Sequence, residues 1–154
     1  MPKSLKNDEL KPFCFYVVCD ILYMVMKMYV YYNPNPRGLW YAGDCVVRAI
    51  SKADGQDDWK KIYAGLSLYG FMIGNVFSNN AVWDSYLRDN GYRREILPNT
   101  CPYCYTIEDF AKEHPTGTYI VATGRHAVAV VDGDYFDSWN SGKEVPIYYY
   151  TKEN

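Results

Sequence analysis

The sequence has few histidines, no concentrated positive charge and an odd number of cysteines. Only two of its 154 residues are histidine, and the formal net charge is −2. Because no block of basic residues is present, the composition argues against a nucleic-acid partner. The five cysteines follow no recognisable secretory signal, so we expect no disulfide-bonded secreted module and place the chain in a reducing cytoplasm.

The longest apolar stretch, FCFYVVCDILYMVMKMYVYY, covers residues 13–32. Its length approaches that of a membrane-spanning helix, but Asp20 and Lys27 interrupt it, and both are unfavourable at the centre of a bilayer. We therefore expect no membrane association. Residues 1–25 are predicted to be an N-terminal extension, helical or poorly ordered, and residues 26–154 a single domain. Any homo-oligomer is expected to form through residues 13–25.

Hydrophobic spacing and capping residues predict helices in the middle of the chain and strands towards its end. The predicted helices are residues 44–53, 57–71, 80–91 and 106–114, and the predicted strands before the last third are residues 27–32 and 92–97. Three short β runs follow, GTYIVATG, RHAVAVVDG and DYFDSWNSG, and Asp132-Gly133 is typical of a hairpin turn. Helices followed by an antiparallel sheet indicate an α+β fold class.

Cys45 stands at the predicted start of a helix, in the segment YAGDCVVRAIS. The free N–H groups and the positive dipole end of a helix N-terminus favour a thiolate over a thiol. The same N–H groups can bind a developing oxyanion. Taken alone, a cysteine beside two valines is more often a small core residue than a nucleophile. A nucleophilic cysteine needs an imidazole as base, and that imidazole needs an orienting acceptor.

The two histidines differ in context. His114 follows a predicted helix and is expected to be solvated, whereas His126 opens an apolar strand. If Asp132-Gly133 forms a two-residue turn, Asp137 lies diagonally across the hairpin from His126. A slip of one residue would bring Asn140 opposite His126 instead. Asp137 is therefore the first candidate for the orienting group, and Asn140 is the second.

A cysteine that opens a helix, followed by a histidine and an aspartate on late strands, resembles the papain-like cysteine hydrolases. GDCVVRAIS is similar to the nucleophile segments of the peptidases that remove bacteriocin leaders and of the OTU deubiquitinases. GRHAVAVVDGDYFDSWNSG is similar to the ending of the leader peptidases and of transglutaminase-like proteins. As a whole, residues 28–150 resemble small papain-like proteins of bacteria and their phages. The resemblance implies N-terminal helices, with the nucleophile helix packed on a C-terminal antiparallel β-sheet.

By this resemblance Cys45 is the nucleophile, His126 the base and Asp137 the orienter of a cysteine peptidase or related amide hydrolase. Such an enzyme acts on a peptide or protein substrate through a thioester, without a cofactor or metal ion. If the chain is phage-encoded, its compartment is the host cytoplasm. Protease, deamidase and transglutaminase-like chemistry all use the same triad.

The chain departs from the family pattern before the nucleophile. The leader peptidases have a glutamine five residues before the cysteine, where this chain has Trp40, and the OTU enzymes have an aspartate three residues before it, where this chain has Ala42. Arg48 is expected to form a structural ion pair. The candidate oxyanion or substrate contacts are Asn33, Asn35, Trp40, Asp44 and Trp139.

Two alternatives belong to other functional classes. The missing glutamine and the 17 tyrosines favour a catalytically inactive, partner-binding relative, such as a phage inhibitor of a host protein. The segment TCPYCY contains CPYC, the active-site sequence of glutaredoxins, but the helix predicted after it is short. The CPYC pair would otherwise be half of a zinc site completed by Cys45, His114 or His126, or an exposed turn.

Overall fold

A computed structural model describes residues 28–152. The helices of this part of the chain are α1 (Cys45–Ala53), α2 (Trp59–Ile73), α3 (Asn80–Asp89) and α4 (Ile107–Glu113). The strands are β1 (Tyr29–Tyr31), β2 (Tyr92–Ile96), β3 (Thr118–Ala122), β4 (Ala127–Val131), β5 (Asp134–Asp137) and β6 (Tyr148–Lys152). The α+β class is as predicted. The expected extension at 1–25 and its oligomer contact at 13–25 lie outside the described residues.

All six strands belong to one sheet, in the order β1-β5-β4-β3-β6-β2. The prediction of an antiparallel C-terminal sheet is wrong in two respects. The sheet is mixed, because β1 pairs with β5 in parallel, with Tyr31 beside Asp137. It also takes β1 and β2 from before the last third of the chain. This pairing joins segments on either side of α1 to α4, and local sequence patterns carry no signal for such a contact.

The last strand, β6, was not predicted as a strand. Its three tyrosines do not alternate with polar residues, because both faces of β6 are covered. Tyr150 is fully buried in the core beneath α1, α2 and α3. Tyr149 packs against the core beneath α4 on the opposite face of the sheet. Because neighbouring tyrosines of β6 pack on opposite faces of the sheet, this run lacks the alternation that marks a half-exposed strand.

The sheet is the middle of three layers. The first core cluster joins α1, α2 and α3 to one face of the sheet, and the second joins α4 to the other face. Alternate residues of β4 serve the two clusters, with Ala129 facing the first and Val128 and Val130 facing the second. Within residues 28–152 no helix is long and apolar enough to cross a membrane.

Three of the four helices begin at side-chain caps. Asp58 accepts the backbone N–H of Lys61 at the start of α2, and Asn79 caps α3 in the same manner. Thr106 and Asp109 form a reciprocal capping box at the start of α4. The predicted boundaries agree with the observed ones to within about two residues, the usual uncertainty of helix ends. Asp44 precedes α1 but makes no capping bond, because its carboxylate is engaged elsewhere.

Candidate active site

Cys45 is the first residue of α1 and has a free, half-buried thiol. The chain turns into the helix through Gly43, whose φ of 66° lies in the left-handed region that favours glycine. The thiol hydrogen-bonds with the side chain of His126, and the backbone N–H of Ala127 also donates to the sulfur. The start of β4 therefore lies directly against the start of α1.

His126 is held between the Cys45 thiol and a buried carboxylate. Its Nε2 lies 2.5 Å from Oδ2 of Asp137, whose side chain is only 3% exposed. The other carboxylate oxygen accepts the backbone N–H of Ser138. Because Nε2 is used by Asp137, the ring nitrogen left for Cys45 is Nδ1. The hydrogen-bonded row thus runs from the thiol through the imidazole to a carboxylate that water hardly reaches.

The hairpin geometry explains why Asp137 rather than Asn140 meets the imidazole. Val131 pairs with Asp134 across the Asp132-Gly133 turn, which is the predicted register. Both turn residues have positive φ, as the twist of a two-residue hairpin requires. Asn140 lies beyond the end of β5, and its Oδ1 accepts hydrogen bonds from the Tyr135 hydroxyl and a backbone N–H. The alternative pairing of Asn140 with His126 is not formed.

A turn between β3 and β4 fixes the histidine from the other side. The backbone N–H of His126 donates to Oγ1 of Thr123, and the backbone N–H of Thr123 donates to the carbonyl of His126. The Trp139 ring lies 5.3 Å from the imidazole, measured between centroids. The backbone, the carboxylate and an aromatic neighbour therefore all restrict the orientation of this ring.

The electrostatics of the pair favour a thiolate beside an imidazolium. Burial, the largest single influence, raises the pKa of the Cys45 thiol, whereas the hydrogen bond and the positive charge of His126 lower it. The N–H of Ala127 and the charge of Arg48 act in the same direction, so the pKa of Cys45 falls below its usual value. Burial lowers the pKa of His126, but its bonds to Asp137 and Cys45 raise it to about 9.

Asp44 is buried behind Cys45 and lines neither cavity beside it. Its carboxylate is 1% exposed and accepts hydrogen bonds from Arg48 at 2.7 Å, Asn35 at 2.9 Å and Trp59 at 2.8 Å. The predicted ion pair of Arg48 is therefore present. These bonds connect α1 to α2 and to the loop that precedes α1. They also fix the position of Asp44, the residue directly before Cys45.

The asparagines proposed as oxyanion donors are used within their own loop. Asn35 donates its side-chain amide to Asp44, and its oxygen accepts the backbone N–H of Arg37. The oxygen of Asn33 accepts the backbone N–H of Asn35, and its Nδ2 is buried without a hydrogen-bond partner among the described residues. Neither asparagine lines the two cavities beside Cys45.

Two cavities flank the Cys45–His126 pair. The smaller, of about 280 Å³, extends towards Asn80, Trp83 and Thr123. The larger, of about 400 Å³, is lined by the exposed rings of Trp40, Tyr41 and Trp139. Four residues line both cavities, namely Gly43, Cys45, Arg125 and His126.

Sequence analysis missed several residues of this cleft, among them Arg125 and Asn80, which carry polar side chains. Arg125 directly precedes His126, and this adjacency was the signal in the sequence that could have identified it as a cleft residue. Asn80 was treated only as a helix start. It accepts the indole N–H of Trp83 while also lining the smaller cavity, and its proximity to Cys45 depends on the packing of α3.

The remaining candidate groups lie apart from the cleft. His114 is half-buried rather than freely solvated, because its ring stacks on Phe110 at 3.9 Å and bonds the Phe110 carbonyl. The thiols of Cys101 and Cys104 hydrogen-bond to each other in the loop before α4. Among residues 28–152 no three His, Cys, Asp or Glu side chains are grouped as a metal site.

No family model, curated protein or solved structure matches the chain. The papain-like resemblance therefore rests on the motifs and on the side chains that the fold brings together. What the protein does must be argued from the geometry of Cys45, His126 and Asp137 and from the cleft around them.

Proposed function

We propose that the protein is a cysteine hydrolase that cleaves an amide bond of a peptide or protein through a thioester. The observation that carries this proposal is the hydrogen-bonded row of Cys45, His126 and Asp137 between two cavities. A thiol joined to an imidazole, which is oriented by a third group, is the arrangement that nucleophilic catalysis requires.

The arrangement supports a two-step reaction. The Cys45 thiolate attacks the amide carbonyl, and the His126 imidazolium gives its proton to the departing amine as the carbon–nitrogen bond breaks. Water then attacks the thioester, gives a proton to His126 and displaces the thiolate, which releases a carboxylic acid. Asp137 keeps the imidazole in one orientation and stabilises its positive charge through both steps.

The oxyanion is stabilised by the N-terminus of α1 in this proposal. The first N–H groups of a helix have no partner within it, and Cys45 is the first residue of α1. Along α1, the backbone N–H of Arg48 is the first that donates to a carbonyl of the helix, namely that of Asp44. A backbone donor at the nucleophile therefore remains for the oxyanion, although Trp40 stands where the family has a side-chain amide.

The first test is the alkylation rate of each cysteine against pH, followed by mass spectrometry. We expect Cys45 to react with iodoacetamide below neutral pH, and His126→Ala to remove that advantage. His114→Ala is the matched control, because His114 lies apart from the cleft, and it should leave the rate unchanged. A Cys45 that reacts only at the pH of an ordinary thiol would contradict the thiolate–imidazolium pair.

Hydrolysis is tested with a library of peptides incubated with the wild-type protein, Cys45→Ala and Cys101→Ser. We expect new peptide termini with the wild type and with Cys101→Ser, and none with Cys45→Ala. If the wild type and Cys45→Ala yield the same termini, the hydrolase proposal is wrong.

A second candidate function is partner binding without catalysis. It is favoured by the exposed aromatic rings beside the cleft, Trp40 at 66%, Tyr41 at 68% and Trp139 at 44%. Large aromatic side chains are common anchors of protein interfaces. An unreactive Cys45, together with a partner whose binding is lost in Trp40→Ala, would favour this function over hydrolysis.

Thiol oxidoreduction at Cys101 and Cys104 has weaker support. Reactive cysteines of such motifs have a lowered pKa, often at the start of a helix. The hydrogen bond from Cys104 instead raises the pKa of Cys101, and the pair lies in a loop before the seven-residue helix α4. A glutathione-coupled disulfide reductase assay on Cys101→Ser tests this function directly.

A further inference from the structure

We propose that Arg125 selects substrates that carry a carboxylate close to the susceptible bond, beside an apolar residue. This inference rests on the proposed function, because it assigns a substrate class to the same cleft. It concerns a side chain that the triad does not use.

The position of Arg125 is fixed by its backbone, while its side chain is exposed. It lies in the turn between β3 and β4, where its backbone N–H donates to Oγ1 of Thr123 at 3.4 Å. It directly precedes His126, and it lines both cavities beside the nucleophile. No carboxylate of residues 28–152 forms an ion pair with its guanidinium.

Arg125 brings an unpaired positive charge to the cleft although the chain is acidic overall. No aspartate or glutamate of the described residues lines either cavity. The second guanidinium of the cleft, that of Arg48, is 6% exposed and paired with Asp44, so its charge is compensated. The charge of the His126 imidazolium is likewise compensated, by the Asp137 carboxylate and the Cys45 thiolate, so the unpaired positive charge offered to a ligand is that of Arg125. With a formal net charge of −2 for the chain, this sign at the cleft favours an anionic group.

The aromatic side chains beside Arg125 determine which kind of residue the substrate carries next to its carboxylate. Trp40, Tyr41 and Trp139 line the larger cavity together with Arg125. Aromatic rings around an open cavity favour an apolar side chain, whereas a guanidinium at its edge favours a carboxylate through paired hydrogen bonds. An acidic side chain and the C-terminal carboxylate of a peptide share this chemistry.

The first experiment uses two small alkylating reagents of nearly equal size, iodoacetate and iodoacetamide. Their relative rates at Cys45 measure how strongly the cleft prefers a carboxylate over an amide, and Cys101 of the same molecule is the internal reference. We expect Arg125→Gln to lower the iodoacetate rate at Cys45 by about two- to fivefold, the range for an exposed ion pair. The iodoacetamide rate should stay the same.

Arg88→Gln is the matched control, because it removes one surface guanidinium on α3 without touching either cavity. It should leave both rates unchanged. The preference for iodoacetate should also weaken as salt rises from about 0.05 to 0.5 M, since exposed charges are screened. An iodoacetate preference that survives Arg125→Gln would overturn the assignment.

The same measurement separates this inference from the proposed function. His126→Ala should slow both reagents, whereas Arg125→Gln should slow only the anionic one. A reactive Cys45 with no dependence on Arg125 refutes carboxylate selection and leaves the hydrolase proposal standing. A Cys45 inert to both reagents overturns both proposals.

Two pairs of peptide probes distinguish the sources of the carboxylate. Dipeptidyl vinyl sulfones with Glu or Gln beside the reactive group test an acidic side chain. Epoxysuccinyl peptides with a free carboxylate or its amide test a terminal carboxylate. We expect one pair to label Cys45 unequally in the wild type and equally in Arg125→Gln. Equal labelling by both pairs in the wild type would refute selection at this site.

Discussion

The replacement Asp137→Asn tests how the carboxylate controls the charge of the imidazole. Asparagine has nearly the same shape but no charge, and it offers one oxygen where Asp137 accepts from both His126 and Ser138. Bonds to a charged group contribute about 1.5–3 kcal/mol, so losing the charge should lower the pKa of His126 by about 1–2 units. From its value of about 9, the pKa should fall to about 7–8.

The assay is an NMR titration of the His126 ring in the wild type and in Asp137→Asn, with the His114 ring as the internal reference. Because the imidazolium helps to hold the thiolate, the alkylation of Cys45 should shift to higher pH in the same variant. If His126 titrates near 6.5 in the wild type, or if Asp137→Asn leaves its titration unchanged, the carboxylate does not set its charge.

The same variant has a stability signature with a definite sign. The pKa of His126 is higher in the folded protein than its usual value of 6.5. Its contribution to the free energy of unfolding is therefore fully present below about pH 6.5 and is lost as the pH rises through about 9. The difference in stability between the wild type and Asp137→Asn should be largest in mildly acidic solution. A difference that grows between pH 7 and pH 9 would contradict this argument.

Three further substitutions test the supports of the site by urea unfolding. Asp44→Ala leaves the Arg48 guanidinium buried without its charge partner and should lower the free energy of unfolding by about 3–5 kcal/mol. Glu108→Gln, at an exposed ion pair, should change it little. Equal effects would mean that burial of the pair is unimportant. Thr106→Ala removes the capping box of α4 and should lower the free energy of unfolding by about 1 kcal/mol, whereas Thr106→Ser should be close to the wild type. Equal loss of stability in both variants would point to another cause. Gly133→Ala places a side chain at a φ of 82° and should cost about 1 kcal/mol or more, so an unchanged midpoint would show that the hairpin turn adjusts freely.

The relation between His126 and Asp137 could be predicted because it is local. Asp132-Gly133 specifies a two-residue turn, and a two-residue turn specifies the register of the two strands it joins. Once that register is fixed, the face occupied by Asp137 follows from the alternation of side chains along β5. This inference uses only the hairpin, and the observed register and the contact between His126 and Asp137 agree with it.

The partners of Asp44 could not be predicted in the same way. The sequence indicates a helix cap, because aspartate before a helix usually accepts a backbone N–H. In the fold, donors from Arg48, Asn35 and Trp59 converge on this carboxylate, and two of them come from segments outside α1. A buried carboxylate is stabilised more by three side-chain donors, one of them charged, than by a single backbone cap. The resulting network depends on tertiary packing, which no local pattern encodes.

The distance between Cys45 and His126 is likewise a product of packing, but its cause can be read from the sequence once the fold is known. β4 turns Ala127 and Ala129 towards α1, and both are buried in the same cluster as Val46 and Ile50. Alanine is the smallest side chain that a strand can place beneath a helix, so α1 lies close enough for the N–H of Ala127 to reach the Cys45 sulfur. The other face of β4 is filled by larger valines, which shows that small residues are confined to the side that carries the nucleophile. The core beneath α1 therefore does more than stabilise the fold, because the size of its side chains determines whether the thiol and the imidazole can meet.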